Sequence, residues 1–145
     1  MRILLDSSVL VAAMVASHPD HERALPWLAA CRQGRHEGVV AQPTLAELYA
    51  TLTSLPLRPR LAPLEVAQFI RENVAEVCAV QELRGRDYRR VIERLSLAGF
   101  AGGIVYDALI AEAALKAKAV KIVTFNQSDF ERLPWLEEAG IAVAV

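Results

Sequence analysis

The chain has few of the residues that build metal or disulfide frameworks, with only two cysteines and three histidines among its 145 residues. Cys31 and Cys78 stand alone, without a C-x-x-C motif and without a histidine at ligand spacing. We therefore expect both to be reduced core residues rather than members of a zinc site or a disulfide. No apolar run reaches membrane-spanning length, and the N-terminus lacks the basic-then-apolar layout of a signal peptide. The sequence predicts a cytoplasmic protein that does not enter a membrane.

The composition lacks the bias of a disordered chain, because 54% of the residues are hydrophobic and 23% are charged. We find no internal repeat and no composition shift that would mark a linker, so residues 1–145 are expected to form a single domain. The formal net charge of −1 argues against a protein that coats nucleic acid non-specifically.

Lysine is scarce, and thirteen of the sixteen basic residues are arginines, eight of which lie between Arg58 and Arg94. Arginine makes bidentate contacts with phosphate and carboxylate, so this segment has the chemistry to face a nucleic acid or an acidic partner. The alternative for residues 84–94 is a solvated helix surface, which the interleaved acidic residues favour. Arg58 and Arg60 lie between prolines on a restrained loop and are candidates for binding a substrate strand.

Hydrophobic periodicity predicts short strands that alternate with helices. Strands are expected at 3–6, 39–41, 75–80, 121–124 and 141–143. Helices are expected at 7–14, 21–32, 43–55, 64–73, 83–97 and 104–118, with Gly34 and Gly38 bracketing a turn. This alternation predicts an α/β protein with three layers, α/β/α, around a mostly parallel sheet of about five strands.

Asp6 is the first candidate site residue, because it directly follows the apolar strand that begins at Ile3. In open parallel sheets, ligands bind at the carboxyl ends of the strands, near the point where the strand order reverses. A structural alternative is that Asp6 caps the helix that follows, a role that Ser7 or Ser8 could also fill.

Glu47 has two interpretations that the sequence leaves open. Thr44-Leu45-Ala46-Glu47 has the pattern of a capping box, in which the carboxylate reaches back to the start of the helix. Thr44, Glu47, Thr51 and Ser54 also recur at helical spacing beside a leucine stripe, and such a polar stripe could line a cleft.

Asp107 lies in an apolar helix on the side expected to face the core. Glu112 and Lys116 form an i, i+4 pair that would mark the solvent side, and Asp107 points roughly opposite, alongside small apolar residues. A carboxylate in such a place must be paired, protonated or bound to a metal, so we favour a functional role.

Asn126 and Asp129 follow the strand that ends at Thr124, in a segment where turn chemistry alone would explain both. Taken with Asp6, however, they lie at the ends of two strands that are neighbours in a doubly wound sheet. Carboxylates that converge there repel one another unless a cation neutralises them, and oxygen ligands without His or Cys select Mg²⁺ or Mn²⁺. Such a site polarises a phosphate and activates water for attack on it.

The chain resembles the PIN-domain family, and within it the VapC-like toxins that are the ribonuclease half of toxin and antitoxin pairs. Four segments carry the resemblance in family order: residues 4–10 (LLDSSVL), 43–48 (PTLAEL), 106–111 (YDALIA) and 122–130 (IVTFNQSDF). The resemblance implies a PIN-like fold, RNA as the substrate, a VapB-like antitoxin as the partner and a homodimer. It does not identify which RNA is cleaved.

The resemblance also implies roles for individual residues. The metal-site acids of the family fall on Asp6, Glu47 and Asp107, so these residues are expected to be catalytic and to hold Mg²⁺ or Mn²⁺. The fourth acidic position of the family falls on Asn126, and Asp129 is the alternative residue to complete the site. Ser8 and Thr124 are expected to orient the ligands through hydrogen bonds.

Other enzymes with an acid at a strand end fit less well. An aspartyl phosphatase needs a second Asp two residues after the first, where this chain has Ser8, and a phosphoacceptor receiver needs a Lys after a late strand. The remaining alternative is a PIN-like module that binds RNA or a protein without cutting it, and the neutral Asn126 is the one feature that favours it.

Overall fold

The structure is a computed structural model that describes residues Met1–Val145. Its five strands are β1 (Arg2–Leu5), β2 (Glu37–Ala41), β3 (Ala79–Gln81), β4 (Lys121–Val123) and β5 (Ala142–Ala144). Its eight α-helices are α1 (Ser7–Met14), α2 (His21–Arg32), α3 (Gln42–Ser54), α4 (Pro63–Ile70), α5 (Gly85–Ala98), α6 (Ile104–Lys116), α7 (Gln127–Glu131) and α8 (Pro134–Glu138).

All five strands pair in parallel, in the order β3-β2-β1-β4-β5, so the predicted α/β architecture is confirmed. The strand order reverses at β1, which has β2 on one side and β4 on the other. Leu5 at the end of β1 is in register with Val123 at the end of β4. The residues that follow these two strands therefore emerge side by side at one edge of the sheet.

Side chains alternate between the two faces of the sheet, and this alternation divides the core in two. Ile3 and Leu5 of β1 pack with residues of α1, α2, α3 and α4. Leu4 packs on the opposite face with residues of α5, α6, α7 and α8. Two helical layers thus cover a sheet whose central strand is buried on both sides, which explains the uninterrupted apolar run at the start of the chain.

Several predicted boundaries were wrong. The segment predicted as strand 75–80 begins as a π-helical turn, Arg71–Ala75, that continues α4 and buries Val74, so β3 starts only at Ala79. The predicted turn after Asn126 is the short helix α7, and α8 was not predicted at all.

Gly38 lies within β2 rather than at the end of a turn, and the two cysteines pack against its backbone. A Cβ atom at this position would lie 2.6 Å from the Sγ of Cys78 and 2.9 Å from that of Cys31. Both cysteines are buried and free, as predicted. The absence of a side chain at Gly38 is what allows this close approach.

The predicted solvent side of α6 was also wrong, because Glu112 is only 3% exposed. Its carboxylate accepts a hydrogen bond from Arg90 of α5 at 2.6 Å, and Arg94 lies 3.9 Å away. Lys116 pairs not with Glu112 but with Asp87 of α5, at 2.7 Å. The side opposite Asp107 is therefore a buried ion-pair seam between two helices.

This seam also changes the interpretation of the arginine-rich segment. Arg90 and Arg94 bind the acidic residues of the seam, so they belong neither to a free nucleic-acid surface nor to an unpaired solvated face. The hydrogen bond from Lys116, the backbone N–H of Arg84 and the nearby Arg90 hold the pKa of Asp87 below its usual value. The positive charges of Lys116 and Arg90 thus compensate the negative charge of the buried Asp87 carboxylate.

Candidate active site

Asp6 is held in one orientation by two hydroxyl groups at the edge of the sheet. Its Oδ2 atom accepts hydrogen bonds from Ser8 Oγ at 3.0 Å and from Thr124 Oγ1 at 2.8 Å. The backbone N–H of Phe125 donates to Ser8 Oγ at 3.1 Å, and that of Asn126 donates to Thr124 Oγ1 at 2.9 Å. Each hydroxyl thus accepts one backbone hydrogen bond and donates its own proton to the Asp6 carboxylate, which can only accept.

The Asp6 side chain does not cap α1, so that alternative was wrong. Asp6 occupies the N-cap position with extended backbone, but its carboxylate makes no capping hydrogen bond. The residue is 4% exposed, and its second oxygen, Oδ1, makes no hydrogen bond within the protein. A buried carboxylate with an unused oxygen at a sheet edge has the form of a cation ligand.

Glu47 lies on α3, near enough to Asp6 for the two charges to interact. The helix begins at Gln42, so Thr44 is inside it rather than at its N-cap, and the predicted capping box is absent. Partial burial, followed by the charge of Asp6, raises the pKa of Glu47, and a hydrogen bond from the Ser7 side chain opposes this increase. Glu47 is largely exposed and thus forms the outer rim of the site.

Asp107 is half-buried near the start of α6. Burial, then the charges of Asp129, Asp6 and Glu47 in that order, raises its pKa to about 6, while Arg132 acts in the opposite direction. The fold therefore brings four carboxylates into one electrostatic cluster. Like charges that destabilise one another in this way create a demand for a cation.

The two candidates for the fourth position differ in their surroundings. Asn126 is exposed, and its side chain makes no hydrogen bond within the protein. Asp129 lies in the first turn of α7, is partly buried, and has the largest charge effect on Asp107. The charge of Asp129 thus acts on the Asp107 carboxylate, whereas the exposed Asn126 amide has no partner within the protein.

The donor set fits a hard divalent cation in its chemistry, since every contributing side chain offers oxygen. In this conformation no three His, Cys, Asp or Glu side chains are grouped closely enough to coordinate one ion together. Oδ1 of Asp6 is unpaired, and the pKa values of Glu47 and Asp107 are raised although Ser7 and Arg132 act in the opposite direction, so the protein compensates these carboxylates only in part.

The predicted substrate arginines lie apart from this cluster. Arg58 and Arg60 line an exposed hollow of about 360 Å³ on the proline-rich loop, and neither affects the pKa of a site carboxylate. Two residues near the acids were not predicted. Ser7 directly follows Asp6, and Arg132 lies three residues after Asp129, so adjacency and helical spacing were the available signals.

Comparison with known proteins places the chain in a family that includes ribonucleases. A family model described as the PIN domain matches residues 3–136, and the chain belongs to this family. Its relatives include ribonuclease VapC27 of Mycobacterium tuberculosis, 32% identical over 117 residues, which cover 81% of this chain and 80% of the relative. Ribonuclease VapC40 of the same organism is 33% identical over 119 residues, with 82% of each chain covered.

Solved structures share the fold at lower sequence identity. The Mycobacterium tuberculosis VapC20 toxin, described as cleaving the sarcin-ricin loop, superimposes with a TM-score of 0.69 at 18% identity, covering 90% of this chain and 95% of the toxin. The VapBC2 complex of Rickettsia felis, bound to a DNA fragment from its promoter, gives a TM-score of 0.65 at 19% identity, with 100% and 99% covered. None of the helices in the chain is both long and apolar enough to cross a membrane.

Proposed function

We propose that the chain is a metal-dependent endoribonuclease toxin of the VapC type, which hydrolyses RNA phosphodiester bonds and is inhibited by a cognate antitoxin. The observation that carries this proposal is the cluster formed by Asp6, Glu47, Asp107 and Asp129 at the strand-order switch point. The identity of 32% and 33% to two ribonucleases named VapC supports it independently.

Each carboxylate has a part in this mechanism. Asp6, Glu47 and Asp107 would hold Mg²⁺ or Mn²⁺ directly or through water, and Asp129 or Asn126 would complete the site. A bound ion would polarise the scissile phosphate and favour deprotonation of the attacking water. Ser8 and Thr124 keep Asp6 in its orientation through the hydrogen bonds that the structure contains.

The substrate backbone requires positive charge around the acidic centre. Arg132 is the arginine whose charge acts on the Asp107 carboxylate, and Arg58 and Arg60 are exposed on the proline-rich loop. We propose these three as contacts for phosphates that flank the cleaved bond. We further propose that the protein acts in the cytoplasm, where RNA substrates are present. We also propose that residues 1–145 form one domain.

The partners follow from the toxin class. A VapB-like antitoxin would have to neutralise or cover the acidic site, and the toxin itself would be a homodimer. The alternative function is a PIN-like module that binds RNA or protein without cleavage, for which the uncharged and exposed Asn126 is the supporting observation.

Expression in a bacterial host tests the proposal in a cell. Wild-type protein is expected to arrest growth when induced, and Asp107→Asn is expected to relieve the arrest at equal protein level, because it removes a charge needed to hold the cation. Glu93→Gln, the same chemical change on the exposed face of α5, should remain toxic. Growth arrest by Asp107→Asn as strong as that of the wild type would show that this site does not cause the toxicity.

A further inference from the structure

A cavity of about 240 Å³ lies directly beside the carboxylate cluster. Its walls come from α1, α3, the segment before α2 and the end of β4. Five of its lining side chains are polar and one is aromatic: Ser7, Ser8, His18, Asp20, Thr51 and Phe125. Nothing in the hydrolytic mechanism above requires this cavity.

The cavity shares a wall with the cluster. Ser8, which lines the cavity, donates a hydrogen bond to Asp6, and the backbone N–H of Phe125 donates to Ser8. Thr51 lies one helical turn after Glu47 on α3, and therefore on the same face of that helix. A ligand group in the cavity would be the immediate neighbour of a phosphate bound at Asp6.

The ring of Phe125, which forms the aromatic wall of the cavity, is held in place by a cation–π contact. The guanidinium of Arg23 lies over the ring of Phe125, 5.1 Å from its centroid, and is paired with Asp20 at 3.2 Å. Arg23 does not itself line the cavity. Ring surface of Phe125 thus remains available for stacking, while the Arg23 contact limits its movement.

His18 and Asp20 give this wall a donor and an acceptor. The Nδ1 atom of His18 accepts a hydrogen bond from the backbone N–H of Asp20 at 3.1 Å, so the neutral imidazole carries its proton on Nε2. That N–H has no partner within the protein. Asp20 uses Oδ1 for Arg23, which leaves Oδ2 as a free acceptor.

We propose that this cavity is a subsite for one nucleobase of the RNA, next to the phosphate that is cleaved. An aromatic surface combined with a fixed donor and a fixed acceptor is the chemistry by which proteins recognise unstacked bases of single-stranded RNA. A phosphate is disfavoured there because of the Asp20 carboxylate and the neighbouring acidic cluster. The proposal rests on the ribonuclease function and names the part of the substrate that sets its sequence preference.

Cleavage of a pool of 12-nucleotide RNAs with randomised sequence tests the subsite, with the products sequenced to give base frequencies around the cut. Phe125→Leu removes the stacking surface, and His18→Asn keeps an acceptor for the Asp20 N–H but loses the Nε2 donor. We expect Phe125→Leu to raise KM about tenfold with little change in kcat, and His18→Asn to weaken base preference at one position. Tyr88→Leu, a matched aromatic change on α5, should alter neither quantity.

Thermal unfolding of each variant separates loss of the subsite from loss of the fold. Unchanged KM and base frequencies in both variants would overturn the proposal, as would a higher KM without any change in base preference. If the wild type cleaves none of the pool, the ribonuclease proposal fails separately. Fluorescence anisotropy with the labelled RNA pool then tests the subsite, by comparing Asp107→Asn with the double variant that also carries Phe125→Leu. We expect the double variant to bind RNA about tenfold more weakly, and equal affinities would reject the subsite.

Discussion

Replacing Asp6 with asparagine is expected to lower metal-dependent RNA cleavage by at least about 100-fold. Loss of a residue that only hydrogen-bonds to a metal ligand costs up to about 100-fold, and Asp6 is proposed to be a ligand itself. Asparagine keeps an oxygen that can accept the hydrogen bonds from Ser8 and Thr124, so the local structure should persist. The negative charge that the cation requires is lost. Initial rates on a labelled RNA with saturating Mn²⁺ measure the effect.

Two further variants make this expectation specific. Ser8→Ala removes one of the hydroxyls that orient Asp6 without removing a charge, and should lower the rate by about 10- to 100-fold. Glu93→Gln is the matched carboxylate-to-amide control on the exposed face of α5, and it should cleave as the wild type does. Undiminished cleavage by Asp6→Asn would remove Asp6 from the reaction.

Without metal, the stability difference between Asp107→Asn and the wild type is expected to increase with pH. The pKa of Asp107 is raised from 3.8 to about 6 in the folded protein. A carboxyl group of this kind contributes stability that is fully present below about pH 3.8 and is lost as the pH rises through about 6. At pH 7.5 the charged carboxylate is therefore destabilising, and an asparagine relieves that penalty.

The free energy of unfolding of Asp107→Asn should exceed that of the wild type by about 1 to 2 kcal/mol at pH 7.5 in EDTA, and the difference should become small at pH 4.5. This magnitude is reduced because solvent screens the half-buried Asp107 carboxylate. Urea denaturation of both proteins at the two pH values measures it. Saturating Mn²⁺ should reverse the order at pH 7.5, because the wild type gains binding energy that the variant lacks. A stability difference that does not depend on pH would mean that neither burial nor the neighbouring acids raises the pKa of Asp107.

The position of the site could be predicted from the sequence because it depends on strand topology. Apolar residues followed directly by Asp6, and a second strand followed by Thr124, were enough to place both residues at one sheet edge, and the parallel register confirms this. Ser8 and Thr124 contact Asp6 as expected. Parallel pairing and side-chain alternation leave few alternatives at such positions.

The errors arose where partners distant in sequence decide the environment. Glu112 and Lys116 have the spacing of an exposed pair, but each binds a residue of α5 instead, and spacing within one helix cannot reveal this. The capping box at Thr44 is absent because α3 starts three residues earlier than that pattern requires, with Ala41 at the N-cap. The assignment of the fourth position to Asn126 or Asp129 depends on the short helix α7, which the sequence did not predict.

Calorimetric titration of Mn²⁺ into the metal-free protein tests the central claim most directly, since the claim is that these carboxylates form one cation site. We expect saturable binding to the wild type that is lost, or weakened by at least about 100-fold, in both Asp6→Asn and Asp107→Asn and is retained in Glu93→Gln. Absence of saturable binding to the wild type, or equal binding by all four proteins, would contradict the account.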